Sequence, residues 1–127
     1  MKVSKSHEDY LETIVDLGGT TEHSVRSVDI AKKMGVSKAS VNKAITYLKE
    51  QNLLDQPYYG DITLTSKGYE YGCKIVERHD LLVAFMENVL SIPSETAEEE
   101  AHLMEHAISD DSFERWTAYI KHLGIEY

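Results

Sequence analysis

Two histidines and a glutamate lie close together near the end of the chain, in the segment His102-Leu103-Met104-Glu105-His106. Residues three and four apart share one face of a helix, so Glu105 and His106 would flank His102. Glu98 and Glu99 fall in the same sector. Imidazoles and carboxylates on one face are candidate ligands for a divalent metal ion. A solvated acidic face with two incidental histidines is the alternative. The opposite side carries Ala101, Leu103, Met104, Ala107 and Ile108.

Two other segments offer side chains of the same chemistry. His79 lies between Val76 and Leu82 on the apolar side of a long helical pattern, where a lone histidine is usually a core residue. Asp9 and Glu12 lie three apart on the polar side of a first helix, a spacing that is also common on protein surfaces. Each of three helices offers such residues. Together they predict a shared metal site more strongly than the residues of any single helix do.

The elements that position these residues follow from hydrophobic period and capping residues. A first helix is predicted from Ser6 to Leu17, with Ser6 opening a capping box. A short helix from Ser27 to Met34 is followed by a stop at Gly35. A third helix, capped by Ser37, ends near Asn52. A short helix, a glycine turn and a second helix with a basic outer face are typical of a helix-turn-helix.

The outer face of the third helix predicts contacts to DNA. Its apolar positions Val41, Ile45 and Leu48 recur at helical spacing, which leaves polar side chains outward. Serine and lysine can hold phosphates, asparagine can bind adenine, and alanine can contact a thymine methyl group. Arg26 is a further candidate for a phosphate contact. The residues expected in the major groove are Ser37, Lys38, Ala39, Ser40, Asn42 and Lys43.

A small hairpin is predicted after the third helix. Ile62 and Leu64 alternate with threonines, and Gly60 marks a turn before them. Such a hairpin is the wing of a winged helix-turn-helix. Tyr58 and Tyr59 would contact the DNA backbone or pack against the helices, and the sequence leaves both alternatives open.

The rest of the chain predicts helices. They run from about Ser66 to Leu90, from Ser94 to Ile108, and from a cap at Asp110 or Asp111 to Leu123. The fold class predicted is mainly α, with a winged helix-turn-helix domain over 1–66 and a helical metal-binding and dimerisation domain over 67–127. The last helix adds more apolar surface than one small lobe can bury, which favours a homodimer. Its apolar stripe comprises Phe113, Trp116, Ile120 and Leu123.

Charge is divided along the 127 residues, whose net charge is −9. Ser24 to Leu54 holds six cations and two anions, whereas Lys67 to Tyr127 holds five cations and thirteen anions. A basic front can contact phosphate, and an acidic rear can hold cations. The longest apolar run, Leu81 to Met86, is far shorter than the roughly 20 residues of a membrane span. A single cysteine excludes an internal disulfide, and we expect a cytoplasmic protein.

Four segments resemble, in order, the DtxR/MntR family of metal-dependent repressors. His7-Glu8-Asp9-Tyr10-Leu11-Glu12 resembles the family's opening helix. Leu64-Thr65-Ser66-Lys67-Gly68 resembles its exit from the wing. Arg78-His79-Asp80-Leu81-Leu82 and Glu105-His106-Ala107-Ile108-Ser109 resemble its two ligand-bearing helices. The resemblance extends from about residue 6 to 122, and it is to the short branch without an SH3-like domain.

This resemblance implies a winged-helix homodimer that binds palindromic operator DNA and represses metal-homeostasis genes when Mn²⁺ or Fe²⁺ is bound. A bound metal ion would hold the two DNA-binding helices of the dimer at the spacing of the two operator half-sites. Residues that match family ligands by position are Asp9, Glu12, His79, Glu105 and His106.

Metal choice follows from two positions. Asp9 stands where the iron branch has methionine, which favours Mn²⁺. His102 stands where the family has glutamate or cysteine, and its imidazole suits Fe²⁺, Co²⁺ or Zn²⁺ better. Glu98 and Glu99 could add oxygen ligands. We expect Mn²⁺ first, with the other three ions as alternatives.

Two other functions stay open at this point. A winged-helix protein could bind DNA without sensing a metal. His-x-x-Glu-His is also a zinc-peptidase signature, with the glutamate as general base. A peptidase needs a third ligand, an open metal position and a substrate cleft. Because the first half of the chain predicts a helix-turn-helix, we expect no enzyme, no catalytic residue and no protein substrate.

Overall fold

The computed structural model describes residues 3–127 and confirms the mainly helical class. The chain divides into two compact units, Met1–Lys74 and Ile75–Tyr127. Among the described residues, no helix is both long and apolar enough to cross a membrane. The elements are α1 (Lys5–Asp16), β1 (Val25–Arg26), α2 (Ser27–Met34), α3 (Lys38–Glu50), β2 (Leu54–Tyr58), β3 (Asp61–Leu64), α4 (Ser66–Asn88), α5 (Ser94–Met104) and α6 (Asp110–His122).

Capping serines set the helix starts in the first unit. The expected cap at Ser6 is wrong, because the Ser4 hydroxyl accepts a hydrogen bond from the His7 amide at 3.3 Å and α1 begins at Lys5. The cap at Ser37 is confirmed, since its hydroxyl accepts from the Ser40 amide at 3.1 Å. Gly35 ends α2 with a φ of 66°, a left-handed conformation that favours glycine.

The helices of the first unit pack into one apolar core. Helix α1 packs on α2 and α3, and α2 packs on α3. The predicted inner face of α3 is confirmed, since Val41, Ile45 and Leu48 are buried. This packing fixes α3 while its opposite face remains free to meet a ligand.

A three-stranded antiparallel sheet in the order β1-β3-β2 completes the first unit. The predicted hairpin is confirmed, with Gly60 at its turn at a φ of 80°. Strand β1 was not predicted, because only two residues pair, Val25 opposite Ile62 and Arg26 opposite Asp61. The β2 register shifts between Asp55 and Tyr58. Pro57 lies there and has no amide hydrogen to give the ladder.

Helix α4 starts in close contact with the chain that follows α3. A Cβ atom on Gly68 would lie 1.9 Å from the Leu53 carbonyl oxygen, so a larger residue cannot fit without movement. The Thr65 hydroxyl donates to the Asn52 carbonyl at 2.7 Å and accepts from the Gly68 amide at 3.0 Å. Thr65 and Gly68 therefore fix the wing's exit into α4.

Helices α4, α5 and α6 build the core of the second unit, but three predicted boundaries are wrong. Helix α4 ends at Asn88 rather than Leu90, before Ser91 at a φ of 56°. Helix α5 ends at Met104 rather than Ile108, because the Ala107 amide bonds back only three residues, to the Met104 carbonyl. Ser109 caps α6 instead of Asp110 or Asp111. The buried core comprises Leu81, Leu82, Met86, Ala97, Ala101 and Ile120.

The residues on the predicted apolar side of the segment around His102 are not all buried. Ala101 is buried, but Leu103 and Met104 are exposed while Glu105 and His106 are buried. Of the predicted apolar stripe on the last helix, Ile120 is buried within the second unit and Leu123 is exposed. The second unit thus buries a carboxylate and an imidazole and exposes large apolar side chains, an arrangement that core packing alone does not favour.

Candidate metal centre

Potential metal ligands from three neighbouring segments meet in the second unit. His79 comes from α4, and Glu98 and His102 come from α5. Glu105 and His106 follow the last residue of α5, so they lie on a turn rather than inside a helix as predicted. Glu105 keeps helical dihedral angles (φ −56°, ψ −31°), so the expected juxtaposition with His102 survives the early end of the helix.

The carboxylate of Glu105 is the centre of this cluster, and its side chain is fully buried. One oxygen, Oε1, lies 3.1 Å from Nδ1 of His102 and 3.3 Å from Nε2 of His106. The other oxygen, Oε2, lies 3.0 Å from Nδ1 of His79. One buried carboxylate is therefore surrounded by three imidazoles.

Both ring nitrogens of His79 face carboxylates. Besides the contact with Glu105, Nε2 of His79 lies 2.6 Å from Oε2 of Glu98. The hydrogen bond with Glu105 raises the pKa of His79 to about 9, against the lowering effect of burial and with a further increase from Glu98. In the imidazolium form both N–H groups donate to carboxylates. A bound proton thus offsets part of the negative charge of the cluster.

The cluster fits a divalent cation. Oε1 of Glu105 is buried and accepts no hydrogen bond within residues 3–127, although two imidazole nitrogens lie within 3.3 Å. Leaving a buried carboxylate oxygen in this state is costly. His102, Glu105 and His106 each offer one donor atom, and these atoms lie within 4.8 Å of one another. An ion among them would satisfy that oxygen and use nitrogen and oxygen donors together.

The two glutamates predicted as extra oxygen donors differ. Glu98 is exposed over 59% of its side chain, yet its carboxylate reaches His79. Glu99 is exposed, and the contacts that define the cluster do not include it. Next to His79, Arg78 pairs with Asp110 and lies 5.7 Å from the ring centre of Phe113. Arg78 thereby links α4 to α6 next to His79, one of the candidate ligands.

The remaining predicted ligands, Asp9 and Glu12, lie on α1 in the first unit. Asp9 is half-buried and Glu12 is buried, so this side of α1 is not the solvated surface that their spacing alone suggested. Sequence reasoning missed Glu8, which is also buried and accepts a hydrogen bond from the Tyr71 hydroxyl at 2.6 Å. Only its place beside Asp9 in the opening motif pointed to it.

Four of the predicted DNA-contacting residues lie around one cleft of the first unit. A cleft of about 160 Å³ is lined by Arg26, Lys38, Asn42 and Tyr59. Gln56 also lines it and was missed, because its place in β2 gave no chemical signal. All of the predicted residues on α3 and at its cap are exposed, namely Ser37, Lys38, Ala39, Ser40, Asn42 and Lys43.

The two tyrosines of the wing are solvent-facing. Tyr58 is exposed over 74% of its surface and Tyr59 over 94%. Of the two alternatives left by the sequence, packing against the helices therefore does not apply. Both rings are free to meet a large ligand such as DNA.

Family models match both halves of the chain. One, described as the N-terminal DNA-binding domain of iron-dependent repressors, matches residues 2–61. The other, described as their metal-binding and dimerisation domain, matches residues 65–125.

Individual relatives agree with these matches. An HTH-type transcriptional regulator of Methanocaldococcus jannaschii is 32% identical over 94% of this chain and 95% of its own. The HTH-type transcriptional regulator MntR of Oceanobacillus iheyensis is 34% identical over 87% of this chain and 74% of its own. The structure of a manganese-dependent transcriptional repressor in complex with manganese has a TM-score of 0.79 at 32% identity, over 91% of this chain and 52% of that one. The chain spans about half the length of this structure and of two other solved structures that it resembles in fold.

Proposed function

This chain belongs to the DtxR/MntR family of metal-dependent transcriptional repressors, and we propose that it represses transcription by binding operator DNA when loaded with a divalent transition-metal ion. The observation that carries the proposal is the fully buried Glu105 carboxylate, which three imidazoles surround, in a chain that also contains a winged helix-turn-helix. The relatives are regulators of transcription and not enzymes, so the peptidase alternative is set aside.

The proposed ligands fall into two groups. His79, His102, Glu105 and His106 are supported by their mutual distances, and Glu98 by its contact with His79. Asp9 and Glu12 are included on the resemblance and on the unusual burial of acidic side chains on α1. A bound divalent ion would offset the negative charge of the carboxylates that bind it. Glu99, which is exposed, is the weakest of the predicted ligands.

The proposed ion is Mn²⁺ first, with Fe²⁺, Co²⁺ and Zn²⁺ as alternatives. One relative is named MntR. Another is a manganese-dependent repressor whose structure is a complex with manganese. The carboxylates Asp9, Glu12 and Glu105 suit this hard ion. The compartment that fits such a regulator of gene expression is the cytoplasm.

On the DNA side, we propose that a homodimer places α3 of each subunit in successive major grooves of a palindromic site. Asn42 and Ala39 would contact bases, whereas Ser37, Ser40, Lys38, Lys43 and Arg26 would contact phosphates. The exposed Tyr58 and Tyr59 would lie against the backbone at the wing. Large exposed apolar side chains of the second unit supply area for dimer contacts, among them Leu90, Leu103 and Tyr119.

The test is a selection of duplexes from a random-sequence library with metal-stripped protein, with and without added Mn²⁺. We expect enrichment of a palindromic sequence only when the ion is present, and loss of that enrichment in His106→Ala. His122→Ala, a change of the same type at an exposed histidine of α6, should behave like the unchanged protein. Enrichment of the same sequence without metal would show a winged-helix DNA binder that senses no metal.

A further inference from the structure

The cleft that α3 and the wing line in the first unit holds a carboxylate beside its cations. Arg26 and Lys38 supply positive charge to this cleft, and Asp61, the first residue of β3, supplies negative charge. The two cations attract a DNA phosphate, whereas the carboxylate repels it. Asp61 therefore opposes the phosphate contacts that this cleft is proposed to make.

The register of the sheet places Asp61 next to Arg26. The two residues lie directly opposite each other in the antiparallel pair of β1 and β3, and both line the cleft. Side chains at opposite positions lie on the same face of a sheet, with Cβ atoms about 4.5–5.5 Å apart. At this separation the carboxylate attracts the guanidinium group of Arg26. Asp61 and a DNA phosphate thus compete for the same cation.

We propose that Asp61 is an internal competitor of phosphate, which weakens the contact of Arg26 with DNA and so lowers the affinity for duplexes of any sequence. This inference rests on the proposed function, because it assumes that the first unit binds DNA through this cleft. Phosphate contacts supply almost all of the binding to DNA that lacks the operator. When these contacts are weaker, a stable complex depends more on the base contacts of α3, which a random duplex does not offer.

This competition predicts a particular dependence of DNA affinity on salt. A protein cation that contacts a phosphate releases a counterion from the DNA, and this release makes the affinity fall as salt rises. When Arg26 leaves Asp61 for a phosphate, the freed carboxylate attracts a cation from solution, so fewer cations are released in total. Removing the carboxylate should therefore give tighter binding at low salt and a steeper loss of affinity as salt rises.

The experiment measures the affinity for fluorescein-labelled duplexes of random sequence by fluorescence anisotropy. Titrations are made at salt concentrations from about 50 to 200 mM, with and without Mn²⁺. Asp61→Asn removes the charge and keeps the size of the side chain. Asp55→Asn is the matched control, since it removes the same charge from an exposed residue of β2 that is not among those lining the cleft. Arg26→Gln, alone and combined with Asp61→Asn, tests whether the carboxylate acts through Arg26.

We expect Asp61→Asn to raise the affinity at the lowest salt about fivefold, the effect of one unit charge about 4 Å from another in water. The salt dependence should steepen by up to one phosphate contact per subunit. Both changes should be much smaller in Asp55→Asn, and Asp61→Asn should gain little when Arg26→Gln is also present. A damaged fold cannot produce such a gain in affinity.

Two results would overturn the inference and leave the proposed function standing. One is an affinity for random duplexes that is unchanged or lower in Asp61→Asn. The other is an equal gain in Asp55→Asn, which would show an effect of net charge alone. If the unchanged protein bound no duplex at the lowest salt, with or without Mn²⁺, the proposed function itself would fail, and the inference with it.

Discussion

Metal binding at this site should be coupled to the loss of a proton from His79. Both ring nitrogens of His79 face carboxylates, and its pKa is raised to about 9, first through the hydrogen bond with Glu105. A nitrogen that binds a metal ion cannot keep its proton, so the ion and the proton compete. Near pH 7 the metal-free protein holds this proton almost completely, because that pH lies about two units below the pKa.

The size of the effect on metal affinity follows from the difference between the pH and the pKa of His79. Below about pH 9, each unit of pH should change the apparent affinity for the ion about tenfold, or about 1.4 kcal/mol, and affinity rises as pH rises. The stability of the metal-free protein, in contrast, should fall as pH rises. A pKa raised from 6.5 to about 9 stabilises the protonated fold at low pH, and that contribution is lost as pH rises through about 9.

Calorimetric titration with Mn²⁺ in two buffers of different ionisation enthalpy measures the protons released for each ion bound. We expect His79 to contribute about one proton at pH 7 in the unchanged protein, and that contribution to be absent from His79→Gln. His122→Gln, at an exposed position on α6, serves as the control and should keep it. Equal proton release by His79→Gln and the unchanged protein would refute the reasoning, as would an affinity that does not vary with pH.

Three further predictions address other parts of the molecule. Gly68→Ala should lower the free energy of unfolding in urea by about 1–3 kcal/mol, because its Cβ would meet the Leu53 carbonyl, and Gly72→Ala should cost less, because it first meets a side-chain methyl group of Val15; equal losses would contradict this. Mn²⁺ at about 100 times its Kd should raise the unfolding free energy by about 2.7 kcal/mol, and Glu105→Gln should abolish the gain; a gain kept in full would exclude Glu105 as a ligand. Lys43→Ala should weaken binding to all duplexes alike and reduce the salt dependence by about one phosphate contact; an altered preference for one base would argue against a phosphate contact.

Much of the fold could be predicted because its signals are local. Gly35 and Ser37 mark the turn and cap of the helix-turn-helix, and the period of Val41, Ile45 and Leu48 marks its buried face. Strand β1 could not be predicted, because its two residues form a strand only through pairing with β3. The predicted start of α1 at Ser6 is wrong, because Ser4 and Ser6 are both suitable capping residues and Ser4 is the one that caps the helix.

The candidate site shows a similar division. The spacing of His102, Glu105 and His106 is enough to predict that they lie together. The sequence did not reveal that α5 ends before Glu105, nor that this carboxylate is buried while Leu103 is exposed. Burial depends on which surface the other helices cover, and periodicity does not report that. The contact between Glu98 and His79 likewise depends on the packing of α5 against α4.

The measurement that tests the central claim most directly is the affinity of the metal-stripped protein for Mn²⁺ with and without its selected DNA duplex. If the ion promotes DNA binding, the duplex must tighten ion binding by the same factor, because the coupling free energy is shared. We predict that the duplex strengthens Mn²⁺ binding by about 5–150-fold, the range of about 1–3 kcal/mol typical of such coupling. An affinity for Mn²⁺ that is the same with and without the duplex would contradict the account, since the ion and the DNA would then bind independently.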